Sequence, residues 1–103
     1  MNEHAATSNA RRCPAHTGVL LREDILPAVG MGKSALAQAL GISRQHLYDI
    51  LSERKPVSPE VAVRLGKAFC DGAGVWLRMQ AAYDAWQAER AVDVSNIKLI
   101  RMA

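Results

Sequence analysis

Residues 33–55 read KSALAQALGISRQHLYDILSERK, and the fold is decided there. Leu36, Ala37 and Leu40 share one face of a first helical pattern; Leu47, Ile50 and Leu51 share one face of a second. Between the patterns stands Gly41-Ile42-Ser43. Gly41 suits a helix end that turns through positive φ, because it has no Cβ to clash there. Ser43 suits the next N-cap, where a hydroxyl accepts a backbone N–H of the new first turn. Ile42 would plug the corner, and the small Ala37 lets two steeply crossing helices approach closely. The spacing predicts a helix-turn-helix.

With its apolar face turned inward, the second helix presents Arg44, Gln45, Tyr48, Asp49 and Ser52 on the other side. Arg and Gln at a helix start can fork onto guanine O6/N7 and adenine N6/N7 in a major groove. A lone Arg-Gln pair reads first as an ordinary solvated face. Behind a corner of small residue, glycine turn and serine cap, the DNA reading takes precedence.

The bulk properties agree with a small DNA-binding domain. Half of the 103 residues are apolar and only 5% are aromatic, which suits one helical domain filled with Leu, Ala, Val and Ile. The formal charge is +3 and the pI about 9.2, a basic lean rather than a polycationic tail. Lys33, Arg44, Arg54 and Lys55 outnumber Asp49 and Glu53 within the central stretch. Two cysteines, Cys13 and Cys70, make no disulfide framework, and Cys70 is expected on or near a buried face. No secretory signal and no apolar run of membrane-spanning length is seen, so a cytoplasmic protein with reduced thiols is expected.

An enzyme finds poor ingredients. His4, His16 and His46 are scattered, no set of nucleophile, base and orienting group can be assembled, and there is no phosphate loop. Cys13-Pro14-Ala15-His16 offers two ligands at Cys-x-x-His spacing, which does not close a zinc site. The expectation is therefore no catalytic residue, no metal and no cofactor.

Around the central stretch, residues 1–15 are polar and aperiodic, with Arg11-Arg12 and Pro14, and read as a flexible arm. Thr17 is expected to cap a first helix over Gly18 to about Leu26, with Leu21 and Ile25 on one face and Pro27 and Gly30 as its stop. Glu53-Arg54-Lys55-Pro56 follows the recognition helix as a charged loop, either a phosphate holder or a solvated turn. Ser58-Pro59-Glu60 starts the next helix with a cap, a proline at the first position and a carboxylate at the positive end. Val61, Leu65, Ala68 and Phe69 form its apolar stripe, and Asp71-Gly72 breaks it. A last helix is expected over Val75 to Arg90, with Trp76, Met79, Tyr83 and Trp86 at alternating spacings of three and four. That seam is either core or, in part, a dimer or partner contact. The tail at 92–103, with Val94, Ile97, Leu99 and Ile100, is a short strand or a segment ordered by a partner.

Taken together, Gly18-Val19-Leu20-Leu21-Arg22-Glu23, Ala37 to Leu51, Ser58 to Phe69 and Trp76-Leu77-Arg78-Met79-Gln80-Ala81-Ala82-Tyr83-Asp84-Ala85-Trp86 resemble the HigA family of antitoxins, of the phage-repressor-like (Xre) helix-turn-helix class. The likeness spans about His16 to Trp86. It implies an all-α fold: a compact five-helix, lambda-repressor-like helix-turn-helix domain at 16–91 between short N- and C-terminal extensions. It further implies a homodimer that binds palindromic operator DNA, represses its own operon and neutralises a RelE-like, messenger-RNA-cleaving toxin, HigB, with no membrane partner. Carried over by position, the DNA surface falls on Lys33, Ser34, Arg44, Gln45, Tyr48, Asp49, Arg54 and Lys55. Thr17 stands where these proteins usually have proline. Glu53 stands where the loop often has glycine, and adds a negative charge beside the expected phosphate contacts. The rival reading is a stand-alone Xre-type repressor without a toxin, which the neighbouring reading frame would decide.

Overall fold

The computed structural model describes residues 13–101, so the expected arm at 1–15 lies mostly outside the described residues. Five helices follow in order, with no strand among the described residues. They are α1 over residues 17–29, α2 over Lys33–Leu40, α3 over Arg44–Leu51, α4 over Pro59–Phe69 and α5 over Gly72–Ala91. Their shared core is Leu21, Leu26, Leu36, Ala37, Leu40, Leu47, Ile50, Leu51, Val57, Val61, Ala62, Leu65 and Trp76.

The helix-turn-helix corner forms as its residues dictate. Gly41 takes φ 73°; its N–H donates to Gln38 O at 3.1 Å, and that of Ile42 to Ala37 O at 3.1 Å. These two bonds close α2 in a Schellman turn. Ser43 then caps α3, its Oγ accepting the His46 N–H at 3.0 Å. Ser58 caps α4 in the same way, from Val61 N–H at 3.2 Å, with Pro59 at the first helical position.

Elsewhere the structure corrects the expectations. Thr17 is not the cap of α1 but its first residue; His16 caps it, Nδ1 accepting the Gly18 N–H at 2.9 Å. Pro27 does not stop the helix. The turn before it, Leu21–Ile25, widens to π geometry, with the Leu26 N–H reaching back to Leu21 O. Proline has no N–H and crowds the carbonyl four residues earlier, and a π-turn re-registers the ladder just ahead of it. The helix runs on through Leu26–Val29 and ends at Gly30, φ 68°. In α4 Ala68 is exposed, and Ala62 and Gly66 take the buried positions. Cys70 is exposed, because it is the left-handed C-cap of α4 at φ 59° and lies off the helix face. The last helix begins at Gly72, three residues earlier than expected.

Two glycines set the crossings. A Cβ on Gly18 would overlap the carbonyl of Ile50, so α1 lies directly against the backbone of α3. A Cβ on Gly66 would overlap the backbone at Gly72 and Ala73, where α4 meets α5. Helix propensity alone favours alanine over glycine by about 1 kcal/mol. Gly18→Ala should nonetheless lower stability by about 1–3 kcal/mol, the cost of overpacking, read as a lower urea midpoint at unchanged slope. A raised midpoint would show that α1 and α3 do not cross so closely.

Glu53 sits at φ 68°, a left-handed position that costs a non-glycine residue about 1–2 kcal/mol. Its carboxylate is 3.7 Å from Arg22 Nη1, a partly exposed pair of small value. Glu53→Gly relieves more strain than it forfeits in pairing and in the greater freedom of glycine in the unfolded chain, and should raise stability by about 0.5 kcal/mol in the same urea assay. A midpoint that falls would assign Glu53 a structural partnership stronger than this pair.

Candidate nucleic-acid interface

The recognition helix α3 has only eight residues, and its position rests on its neighbours. Leu47, Ile50 and Leu51 are buried, which turns Arg44 and Gln45 outward at its first turn. At its other end, Arg22 of α1 donates Nη1 to the Leu51 carbonyl at 2.7 Å. A guanidinium there satisfies an open carbonyl and complements the negative end of the helix dipole. Arg64 of α4 does the same for α2, donating Nη1 to the Leu40 carbonyl at 2.9 Å.

The expected DNA-surface residues come together. Lys33, at the start of α2, holds its ammonium 5.6 Å from the centre of the Tyr48 ring. Lys33, Tyr48 and Arg54 line one shallow cavity of about 230 Å³ with Arg22, Leu51 and Ser52. From Arg54 the contacts pass to Asp49 and on to Gln45 and Lys55. Ser34 and Arg44 are exposed beside Lys33 and Gln45. The result is a continuous basic and polar face across α2, α3 and the loop after it.

Asp49 is the acidic centre of this face. Its Oδ1 accepts from Gln45 Nε2 at 2.9 Å and from Arg54 Nε and Nη2 at 3.2 and 3.0 Å. Lys55 Nζ lies 3.7 Å from Oδ2. The Arg54 guanidinium bonded to it holds its carboxyl below the usual carboxylate range. Burial pulls the other way, and the Gln45 amide and the charges of Arg54 and Lys55 add to the lowering. The Asp49 carbonyl also accepts the N–H groups of Arg54 and Lys55 at 2.8 and 3.1 Å, folding the loop back onto the helix. Glu53 pairs with Arg22 instead, while the ion pairs of Arg54 and Lys55 are with Asp49.

The far end of the loop is fixed by α5. Gln80, buried, accepts the Val57 N–H at 3.0 Å and donates to Asp84 at 3.0 Å. Neither Arg22 nor Gln80 is marked by local spacing as part of the site. Each reaches a backbone group 29 and 23 residues away in sequence.

The aromatic seam of α5 divides. Trp76, 2% exposed, belongs to the core and donates its indole N–H to Asp71 at 2.9 Å, so it offers no surface to a partner. Met79, Tyr83 and Trp86 are half-buried. Tyr83 meets the His16 ring edge-on at 4.9 Å, and the Arg90 guanidinium lies 3.6 Å from the centre of the Trp86 ring. Beyond α5 the tail is not a strand among the described residues; it carries Ile97, Leu99 and Ile100 outward, the last two 81% and 84% exposed. No helix among the described residues is long and apolar enough to cross a membrane.

Comparison with known proteins places this geometry. A family model described as helix-turn-helix matches residues 21–69. Virulence-associated protein I of Dichelobacter nodosus is 38% identical over 82 residues, covering 80% of this chain and 76% of that protein. Antitoxin HigA-1 of Vibrio cholerae is 30% identical over 76 residues, covering 74% and 71%. The solved structure of Pseudomonas aeruginosa antitoxin HigA with the higBA promoter superposes with a TM-score of 0.73 at 35% identity, covering 76% of this chain and 85% of that one. On these likenesses, and on the five-helix architecture that carries them, the chain belongs to the HigA family of helix-turn-helix DNA-binding proteins, which are regulators and not enzymes.

Proposed function

We propose that this chain is the cytoplasmic antitoxin of a HigBA-type pair: a homodimer that binds a palindromic operator, represses its own operon and neutralises a RelE-like ribonuclease toxin. The observation that carries the reading is the outward first turn of α3, with Arg44 and Gln45, set in one basic face with Lys33, Ser34, Tyr48, Arg54 and Lys55. The likeness to a HigA solved with promoter DNA supports it. Arg44 and Gln45 read base edges, while Lys55, and Arg54 as far as its pairing with Asp49 leaves it free, take phosphates from the loop beyond. Two-fold pairing would place two such helices in successive major grooves about 34 Å apart.

The dimer and toxin contacts fall away from this face. Met79, Tyr83 and Trp86 on α5, and the apolar side chains of the tail, supply the surface. Co-expression with the adjacent reading frame, followed by sedimentation, tests both partners at once. A dimer of this chain is expected alone, and a stable complex with a small basic toxin when the two are made together. A chain monomeric both free and on DNA overturns the dimer. Failure to retain the neighbour's product favours the stand-alone repressor.

The two parts of the DNA face should fail differently. Each good bidentate base contact discriminates by about 1–3 kcal/mol, counted twice in a dimer. Arg44→Ala or Gln45→Ala should bring operator affinity towards that for random DNA, with the fold intact because both side chains are exposed. Lys55→Ala should weaken operator and random DNA alike, and make the salt slope shallower by roughly one unit for each phosphate no longer neutralised. Affinities of both variants for both duplexes across a salt series decide it. Sequence preference relaxed by Lys55→Ala, with only the slope altered by Arg44→Ala, would reverse these roles.

A further inference from the structure

A carboxylate at the centre of a face meant for phosphates raises the cost of binding DNA, unless it performs a task there. Asp49 has 14% of its side chain exposed, against 65% for Arg54 and 57% for Lys55. Its Oδ1 is already occupied by Gln45 and Arg54 and its Oδ2 lies beneath Lys55 Nζ at 3.7 Å, so a base would have to displace Lys55 to reach a carboxylate that is largely covered. What it does control is the Gln45 amide. An ionised carboxylate only accepts hydrogen bonds, so the Gln45 group facing it is Nε2 and not Oε1. Fixing one N–H in this way leaves the other N–H and Oε1 free, and these are the donor and acceptor that adenine N7 and N6 require. The same carboxylate ties down Arg54 and offsets one of the two loop cations, which lowers attraction for phosphates of any sequence.

We propose that Asp49 is a positioning residue that sets operator specificity: it fixes the Gln45 amide for an A·T pair in each half-site and holds Arg54 back from indiscriminate phosphate contact. This rests on the DNA reading given above and goes beyond it, since Asp49 acts here through Gln45 and Arg54 without touching a base.

The test uses the duplex upstream of the chain's own gene, its single base-pair variants and a random duplex of equal length, each titrated across a salt series. For Asp49→Asn, affinity for the random duplex should rise about tenfold, with a salt slope steeper by roughly one unit. Preference at one A·T pair per half-site should relax. Gln45→Ala, a substitution at an exposed side chain, should relax preference at that same pair, and adding Asp49→Asn to it should cost no further selectivity. Equal weakening of operator and random DNA by Asp49→Asn would overturn the proposal, since Asp49 would then serve only the fold. So would relaxation at a pair that Gln45→Ala leaves intact, which would make Asp49 a direct reader. An asparagine Oδ1 can still accept the Gln45 N–H whereas an alanine cannot, so a wild-type preference that survives both Asp49→Asn and Asp49→Ala unchanged overturns this proposal alone. A wild-type chain that binds upstream and random duplexes equally overturns the operator reading and this one with it.

Discussion

The structure depends on how two helices of eight residues are kept at all. Helices this short are not stable in water, because nucleation is costly and few bonds repay it. Each of α2 and α3 buries three side chains in the common core, and each has its open carbonyl end held by an arginine from a flanking helix. Arg22 comes from α1 and Arg64 from α4, so the helix-turn-helix is clamped from both sides in sequence. A hydrogen bond from a charged donor contributes more than a neutral one, and here it also opposes the helix dipole. The clamps leave the first turn of α3 as the end that faces outward unobstructed.

Rigidity then passes outward from these clamps. Gly18 lets α1 lie on the Ile50 carbonyl, close enough for Arg22, one turn further on, to reach Leu51. His16 starts α1 and packs its ring against Tyr83, which ties the entry of the first helix to the last. Gln80, three residues before Tyr83, holds Val57 at the end of the basic loop. Thus α5 lies outside the proposed DNA surface, yet it helps to set where the loop with Arg54 and Lys55 lies.

What could be read from the chain divides along the same line. The corner at Gly41 to Ser43 was legible because every determinant is local: a positive-φ glycine, a serine cap and two apolar triplets. Ser58-Pro59-Glu60 was legible for the same reason. The outward face of α3 followed once its inward face was known, whereas the joining of Lys33 to Tyr48 and Arg54 was implied only by the family resemblance. The misreadings arose where a distant partner decides. Thr17 has the better capping side chain by type, but His16 is the residue that Tyr83 holds in place. Pro27 breaks an α-helix by local rules, and a π-turn evades them. Ala62 replaces Ala68 in the core, and Gly66 lies buried, because α5 crosses α4 on that side. The two clamping arginines look like ordinary surface cations until their carbonyl partners are known.

Charge on the basic face of α2, α3 and the loop follows from this internal pairing more than from residue counts. Residues 33–55 carry four basic and two acidic side chains, a modest excess by formula. Both acids are committed within the molecule, Asp49 to Arg54 and Gln45, and Glu53 towards Arg22. Arg22 in turn is spent on the Leu51 carbonyl, so it stabilises α3 more than it attracts phosphate. Lys33 and Arg44 form no ion pair with a carboxylate among the described residues, and both stand at helix starts. Non-specific affinity scales with the number of phosphates neutralised, whereas sequence discrimination depends on the few side chains that reach base edges. A face with partly offset cations and an exposed Arg-Gln turn therefore suits discrimination over grip, and in the proposed dimer a second copy across a two-fold axis would restore the affinity without adding charge to either half.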